Sequence, residues 1–219
     1  MLNHNSKGGG QMIAIIDYGA GNIRSVEKAL AHIGCTVQVT RDPAVLMQAD
    51  AAVLPGVGSF GDAMHELRAR GLEEPIRAFL AMGKPFLGIC LGLQILFESS
   101  EESPGVKGLG LLRGKIVRIP AGEGLKIPHM GWNSLELQKP GDLFQNIPAN
   151  PYVYFVHSYY LQAEEDIVTA TTQYGVTIHA AVQKDNLLAC QFHPEKSGAL
   201  GIAMLRNFAA MIAERGGKV

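Results

Sequence analysis

Residues 85–92 read Pro-Phe-Leu-Gly-Ile-Cys-Leu-Gly and set a thiol where a nucleophile could stand. The apolar run Phe86 to Ile89 has the composition of a buried strand. A helical pattern follows at once in Leu91, Leu93, Ile95, Leu96 and Phe97. Cys90 on a tight turn between strand and helix matches a nucleophile elbow with sulfur in place of a serine oxygen. Gly88 and Gly92 suit such a turn, because the nucleophile's backbone is strained and leaves little room beside it. The helix would aim its N-terminus at the sulfur and favour thiolate over thiol. The competing explanation is a buried core cysteine, since free cysteine is often buried.

Residues 187–195, Leu-Leu-Ala-Cys-Gln-Phe-His-Pro-Glu, supply a base and an acid. An apolar strand leads into His193, and Glu195 follows two residues on. In an extended chain those two side chains share a face about 7 Å apart. Glu195 can then hold one ring nitrogen of His193 while the other faces a nucleophile, as the base and its orienting acid do in a triad. Pro194 suits a strand that is ending.

Together these residues resemble the class I, or triad, glutamine amidotransferases, with Gly-x-Cys-x-Gly and, about a hundred residues later, His-x-Glu. Further segments resemble the glutaminase subunits of imidazole glycerol phosphate synthases. They are Asp17-Tyr-Gly-Ala-Gly-Asn22, Leu54-Pro-Gly-Val-Gly-Ser-Phe-Gly61, Lys126-Ile-Pro-His-Met-Gly-Trp-Asn133 and Tyr154-Phe-Val-His-Ser-Tyr159. The cysteine and His-x-Glu motifs specify only the superfamily; the Pro-Gly-Val-Gly and Pro-His-Met-Gly-Trp-Asn segments point to the histidine-pathway member. The resemblance implies that Cys90, His193 and Glu195 are catalytic. It implies that Gly56, Val57, Gly58 and Leu91 form the oxyanion site, with the backbone N–H groups at Val57 and Leu91 as donors, and that Gln94, Ser158 and Tyr159 hold glutamine. It sets Asn22, Lys126, Met130, Trp132 and Asn133 at the interface with a (β/α)₈-barrel cyclase. That partner would receive ammonia in a heterodimer and make imidazole glycerol phosphate and a carboxamide ribotide. Amidotransferase subunits of purine, pyridoxal phosphate or anthranilate synthesis are the nearest alternatives.

Other chemistries fit less well. Gly56-Val-Gly58-Ser-Phe-Gly61 also satisfies the dinucleotide fingerprint G-x-G-x-x-G after a strand. It follows the third strand rather than the first, Pro55 intrudes, and the acidic residues downstream, Glu73 and Glu74, look helical. Glycines at 56 and 58 instead suit a peptide that turns a donor toward an oxyanion. No Cys pair is spaced C-x-x-C and no His pair H-x-x-x-H, so no metal site is expected; the resemblance implies no cofactor. An α/β-hydrolase orders nucleophile, acid, then base, whereas here the acid follows the base. A binding module with a degenerate site conflicts with the intact Cys90, His193 and Glu195. His32 and His65 read as solvated, His4 falls in a leader, and His179 reads as structural. His129 and His157 lack a carboxylate two residues on.

The elements that must position these groups follow from pattern. Met12–Ile16, Thr36–Thr40, Ala51–Leu54 and Phe86–Ile89 read as strands alternating with helices from Ile23, over Gly61–Arg70 and over Glu73–Met82. That order predicts an α/β fold: an open, mostly parallel, doubly wound sheet with helices on both faces. The runs Ile116–Ile119, Asn133–Leu137, Tyr152–Tyr159, Ile167–Thr172, Ile178–Gln183 and Leu187–Phe192 read as antiparallel additions in the C-terminal half, before a last helix, Gly198–Arg215. Cys90, Gly56 and His193 all fall at strand ends, where ligands of open α/β sheets bind.

The chain has 219 residues, 47% of them hydrophobic, enough for one large core. We expect one amidotransferase domain over 12–219 after a polar, Gly-rich leader, 1–11, without the apolar stretch of a signal peptide. A net charge of −1 argues against nucleic acid and anionic membranes as partners. No apolar run reaches a membrane-spanning length. Three cysteines, Cys35, Cys90 and Cys190, suit a reducing cytoplasm better than a disulfide framework.

Overall fold

A computed structural model describes residues 11–19 and 21–216. The elements run β1 (Met12–Ile16), α1 (Ile23–His32), β2 (Thr36–Thr40), α2 (Pro43–Gln48), β3 (Ala51–Gly56), α3 (Phe60–Ala69), α4 (Glu73–Ala81), β4 (Phe86–Cys90), α5 (Leu91–Gln94) and β5 (Ser99–Ser100). They continue with β6 (Gly114–Arg118), β7 (His129–Ser134), β8 (Glu136–Leu137), β9 (Tyr152–His157), β10 (Tyr159–Ala163), β11 (Val168–Tyr174), β12 (Val176–Lys184), β13 (Leu187–Cys190) and α6 (Gly198–Gly216). All but residue 11 of the expected leader lies outside the described residues.

Local chemistry starts the helices where the pattern places them. Asp42 accepts a hydrogen bond from the Ala44 N–H at 2.8 Å, and Pro43 opens α2 without needing a donor. The Ser59 hydroxyl accepts from the Asp62 N–H at 3.2 Å and caps α3.

The main sheet has the order β2-β1-β3-β4-β13-β12-β10-β6-β5, and β11 pairs with β12 and β8. The half β2-β1-β3-β4-β13 is parallel, and the pairs of β13, β10 and β6 along the second half are antiparallel. Both faces are covered. On β1, Ala14 and Ile16 pack on one face with Leu54, Phe60 and Phe79, while Ile13 and Ile15 pack on the other with Leu30, Leu205 and Phe208. Near-continuous apolar strands such as β3 and β4 are what a parallel sheet buried on both sides requires.

Four expectations need correction. The Leu187–Phe192 run, expected among the antiparallel additions, forms β13 only to Cys190 and pairs parallel with β4, closing the parallel half; only its other edge, against β12, is antiparallel. The helix after Cys90 is one turn, not a run to Phe97. The carbonyls of Ile95, Leu96 and Phe97 accept from the N–H groups of Leu109, Leu111 and Gly110, so the 108–112 loop takes the acceptors a longer helix would have used. The Tyr152–Tyr159 run is two strands broken at Ser158. Its first half, β9, pairs with β7 in a two-stranded ribbon off the main sheet. The Asn133–Leu137 run likewise splits between β7 and β8. Among the described residues no helix is long and apolar enough to cross a membrane.

Candidate active site

Cys90 ends β4 with φ 56° and ψ −111°, a backbone that a side-chain-bearing residue rarely adopts. Such a residue costs about 1–3 kcal/mol and persists only where its surroundings enforce it. Here they do so by close packing. A Cβ on Gly92 would sit 1.8 Å from the Leu54 carbonyl oxygen, and one on Gly88 would sit 2.9 Å from the Gly92 oxygen. The elbow therefore presses directly on β3. Because α5 has only four residues, its dipole is a weak source of thiolate stabilisation.

His193 and Glu195 meet at 2.7 Å, Nδ1 to Oε1, with both side chains sealed from solvent. The expected extended i, i+2 geometry is not what joins them. β13 ends at Cys190, and a 3₁₀ turn, Pro194–Lys196, folds the carboxylate back onto the ring. The Ser197 hydroxyl donates to the His193 carbonyl at 2.6 Å and accepts from the Tyr154 N–H at 3.0 Å, fixing that turn to β9. The ring nitrogen Nε2 is buried without a hydrogen-bond partner among the described residues. Burial pulls the imidazole pKa down, but Cys90 and Glu195 raise it by more, to about 9. The groups on its two sides thus favour a protonated ring over a neutral one.

Asn22, expected at a partner interface, turns inward. Its Nδ2 donates to Glu195 Oε1 at 2.5 Å, and the residue sits at φ 72° ahead of α1, whose N-terminus it does not cap. The helix forgoes a cap and the carboxylate gains a second donor.

A cavity of about 310 Å³ opens beside Cys90. Val57, Gly58, Leu91, Gln94, Ser158 and Tyr159, all named from sequence, line it with Cys90. Gly56 lies behind this wall, where a Cβ would meet the Tyr18 hydroxyl at 2.2 Å. Tyr18 is fully buried, its hydroxyl has no partner among the described residues, and burial beside Cys90 holds its pKa up. Gln94 is buried, and its amide donates to the Tyr159 carbonyl and to Gln191 Oε1, each at 3.1 Å.

Sequence reasoning missed Gln191 and Glu102, while His157, set aside there as a base, also lines the cavity. Gln191 Nε2 donates to Cys90 Sγ at 3.6 Å; its place two residues before His193 was the only signal. Glu102 sets a carboxylate on the cavity wall, tied by the Phe60 N–H at 2.7 Å, and no local motif marks it. Of the remaining interface candidates, Met130 and Trp132 are 66% and 55% exposed on one face of β7, and Lys126 is exposed ahead of it. Trp132 packs edge-on against Tyr154. Asn133 instead bonds inward to His129 and to the Gln173 carbonyl. His32 and His65 are exposed, and His179 accepts from the Ala163 N–H at 3.0 Å within the sheet. No cluster among the described residues has the make-up of a metal site.

An elbow cysteine and a His–Glu pair beyond a parallel sheet define a thiol-dependent acyl-transfer architecture. The family model for glutamine amidotransferase class-I matches residues 14–212. The subunit HisH of imidazole glycerol phosphate synthase from Syntrophotalea carbinolica is 52% identical, covering 91% of this chain and all of that protein. Its counterpart from Methanothermobacter thermautotrophicus is 53% identical over 92% of this chain and 99% of that protein. The solved structure of PurLQS from Thermotoga maritima superposes with a TM-score of 0.73 at 21% identity, covering 93% of this chain and 99% of that one, a likeness of fold. The chain belongs to the class I glutamine amidotransferases and, within them, to the HisH subunits of imidazole glycerol phosphate synthase. It is thus the glutamine-hydrolysing subunit of that synthase in histidine biosynthesis.

Proposed function

We propose that Cys90, His193 and Glu195 carry the glutaminase reaction. The sulfur of Cys90 attacks the side-chain carboxamide carbon of glutamine, and the carbonyl oxygen takes the developing charge. The C–N bond then breaks as His193 delivers its proton to the departing nitrogen, leaving ammonia and a γ-glutamyl thioester. Water, deprotonated by His193, attacks the thioester, and glutamate leaves as Cys90 is regenerated. Glu195, with Asn22 on the same oxygen, holds the ring so that Nε2 faces the sulfur. Backbone N–H groups at Val57 and Leu91 stabilise the oxyanion, and the Glu102 carboxylate is suited to the α-ammonium of glutamine. The observation that carries this is the sealed His193–Glu195 pair with its second nitrogen unpartnered, beside a strained cysteine on a cavity wall.

Ammonia is mostly protonated in neutral water, so it is best passed on directly. We infer a (β/α)₈-barrel cyclase partner forming a heterodimer in the cytoplasm. It docks on the exposed Met130–Trp132 face, next to Lys196 stacked over Tyr154. Cys90→Ala tests the assignment in the assembled synthase. Glutamine-dependent synthesis should vanish while ammonia-dependent synthesis persists; retained glutaminase activity would remove Cys90 from the mechanism.

A further inference from the structure

A run of buried hydrogen bonds leads from β7 to the cavity through two histidines that the mechanism leaves idle. Asn133 Nδ2 donates to His129 Nε2 at 3.3 Å, and His129 Nδ1 lies 3.0 Å from His157 Nε2. His157 Nδ1 lies 2.9 Å from the Tyr159 carbonyl, which also accepts from Gln94. Both rings are buried, at 3% and 6% exposure, and His129 stacks between Phe155 and Tyr174.

The direction of every bond is determined from its ends. A carbonyl only accepts, so His157 must carry its hydrogen on Nδ1. Its Nε2 then holds a lone pair, which only a hydrogen on His129 Nδ1 can satisfy. His129 Nε2 is left as an acceptor, and the Asn133 amide supplies it. A proton added to either ring would set donor against donor. Burial in fact lowers both pKa values, to about 4 for His129 and about 3 for His157, so the pair is neutral at working pH.

The consequence falls on Gln94. Its two amide hydrogens are spent on Tyr159 and Gln191, so what Gln94 can offer a ligand in the cavity it lines is the amide oxygen, an acceptor. Were the Tyr159 carbonyl free to turn, the Gln94 amide could flip and offer donors instead. We propose that the neutral His129–His157 pair is a positioning device for substrate binding. It fixes the Tyr159 carbonyl so that Gln94 shows the cavity an acceptor, matched to an N–H-bearing group of glutamine. His157 is then a positioning residue and not a second base.

This rests on Cys90 being the glutaminase nucleophile. The test uses the complete synthase assayed with glutamine. His157→Phe keeps the ring volume but removes both nitrogens; it should raise KM at least ~10-fold and change kcat less than ~3-fold. His157→Asn, whose Nδ2 overlies Nδ1 and can still donate to Tyr159, should recover most of that loss. An unchanged KM in His157→Phe, or equal loss in both variants, overturns the proposal. A kcat collapse like that of His193→Ala overturns it too, by making His157 catalytic. A second measurement needs no variant of the relay. Nitrogen-15 NMR of the wild-type chain at neutral pH should show His129 and His157 both as the Nδ1–H tautomer. Either ring as Nε2–H or as imidazolium sinks the idea. Glutaminase activity surviving in Cys90→Ala would instead bring down the underlying functional assignment.

Discussion

At the scale of single residues the site concentrates cost. Cys90 holds a left-handed backbone, and among the described residues the buried Tyr18 hydroxyl has no partner and the second oxygen of Glu195 no donor. Each is unfavourable for folding and each borders the reacting atoms, as expected where groups are held for chemistry rather than for stability. The roles differ in how replaceable they are. His193→Ala removes the proton carrier and is expected to lower kcat by roughly 10⁵–10⁶-fold. Glu195→Gln keeps the shape but misorients the ring, and roughly 10³–10⁴-fold is expected. Single-turnover release of glutamate in the assembled synthase measures both. A His157 variant more damaging than His193→Ala would reverse the assignment of the base.

At the scale of elements, two junctions decide function. The first is where α5 leaves β4 against β3. Gly92→Ala drives a methyl to within 1.8 Å of the Leu54 carbonyl, a backbone atom that cannot turn aside. The variant should lose about 1–3 kcal/mol, read as a lower urea midpoint at unchanged slope, and should disturb Cys90 with it. The second is the β7–β9 ribbon. Being off the main sheet, it presents Met130 and Trp132 to solvent while Val156 and His157 of β9 line the cavity. Trp132→Ala should weaken cyclase binding by about 2 kcal/mol or more in titration calorimetry. Circular dichroism and thermal midpoint should stay near wild type, because the indole is half exposed. Equal binding by the variant would move the interface elsewhere.

At the scale of the whole molecule, buried histidines shape stability against pH from both sides. His129 and His157 have folded pKa values below the unfolded 6.5. Their contribution is present above about pH 6.5 and lost as pH falls toward 4 and then 3. His193 has its folded pKa raised to about 9. Its contribution is complete below pH 6.5 and lost as pH rises through about 9. The urea midpoint should therefore peak near pH 6–7 and fall on either limb. His157→Phe should flatten the acid limb, and His193→Ala the alkaline one. A wild-type midpoint flat from pH 4.5 to 9 would contradict the burial argument.

Much of this was legible in the chain itself. Apolar runs of strand length, alternating with helical spacing, marked β1, β3 and β4 of the parallel half, because a sheet buried on both faces leaves continuous runs; the parallel pairing of β13 with β4 was not legible there. Gly88, Cys90 and Gly92 marked the elbow, and His193 with Glu195 marked a base and its acid, because turn chemistry and short-range spacing are local properties. What tertiary structure alone decided is where chain segments far apart in sequence compete for the same groups. The helix after Cys90 stops after one turn because the 108–112 loop claims its carbonyls. Glu195 reaches His193 by a 3₁₀ turn that Ser197 pins to β9, and Asn22 donates to that carboxylate across the fold. Glu102 carries no local signature, Gln191 only its nearness to His193, and the segments that hold His129 and His157 do not show that the two rings meet. Their meaning lies in contacts between strands and loops, and sequence spacing encodes a contact only when both partners lie on one element.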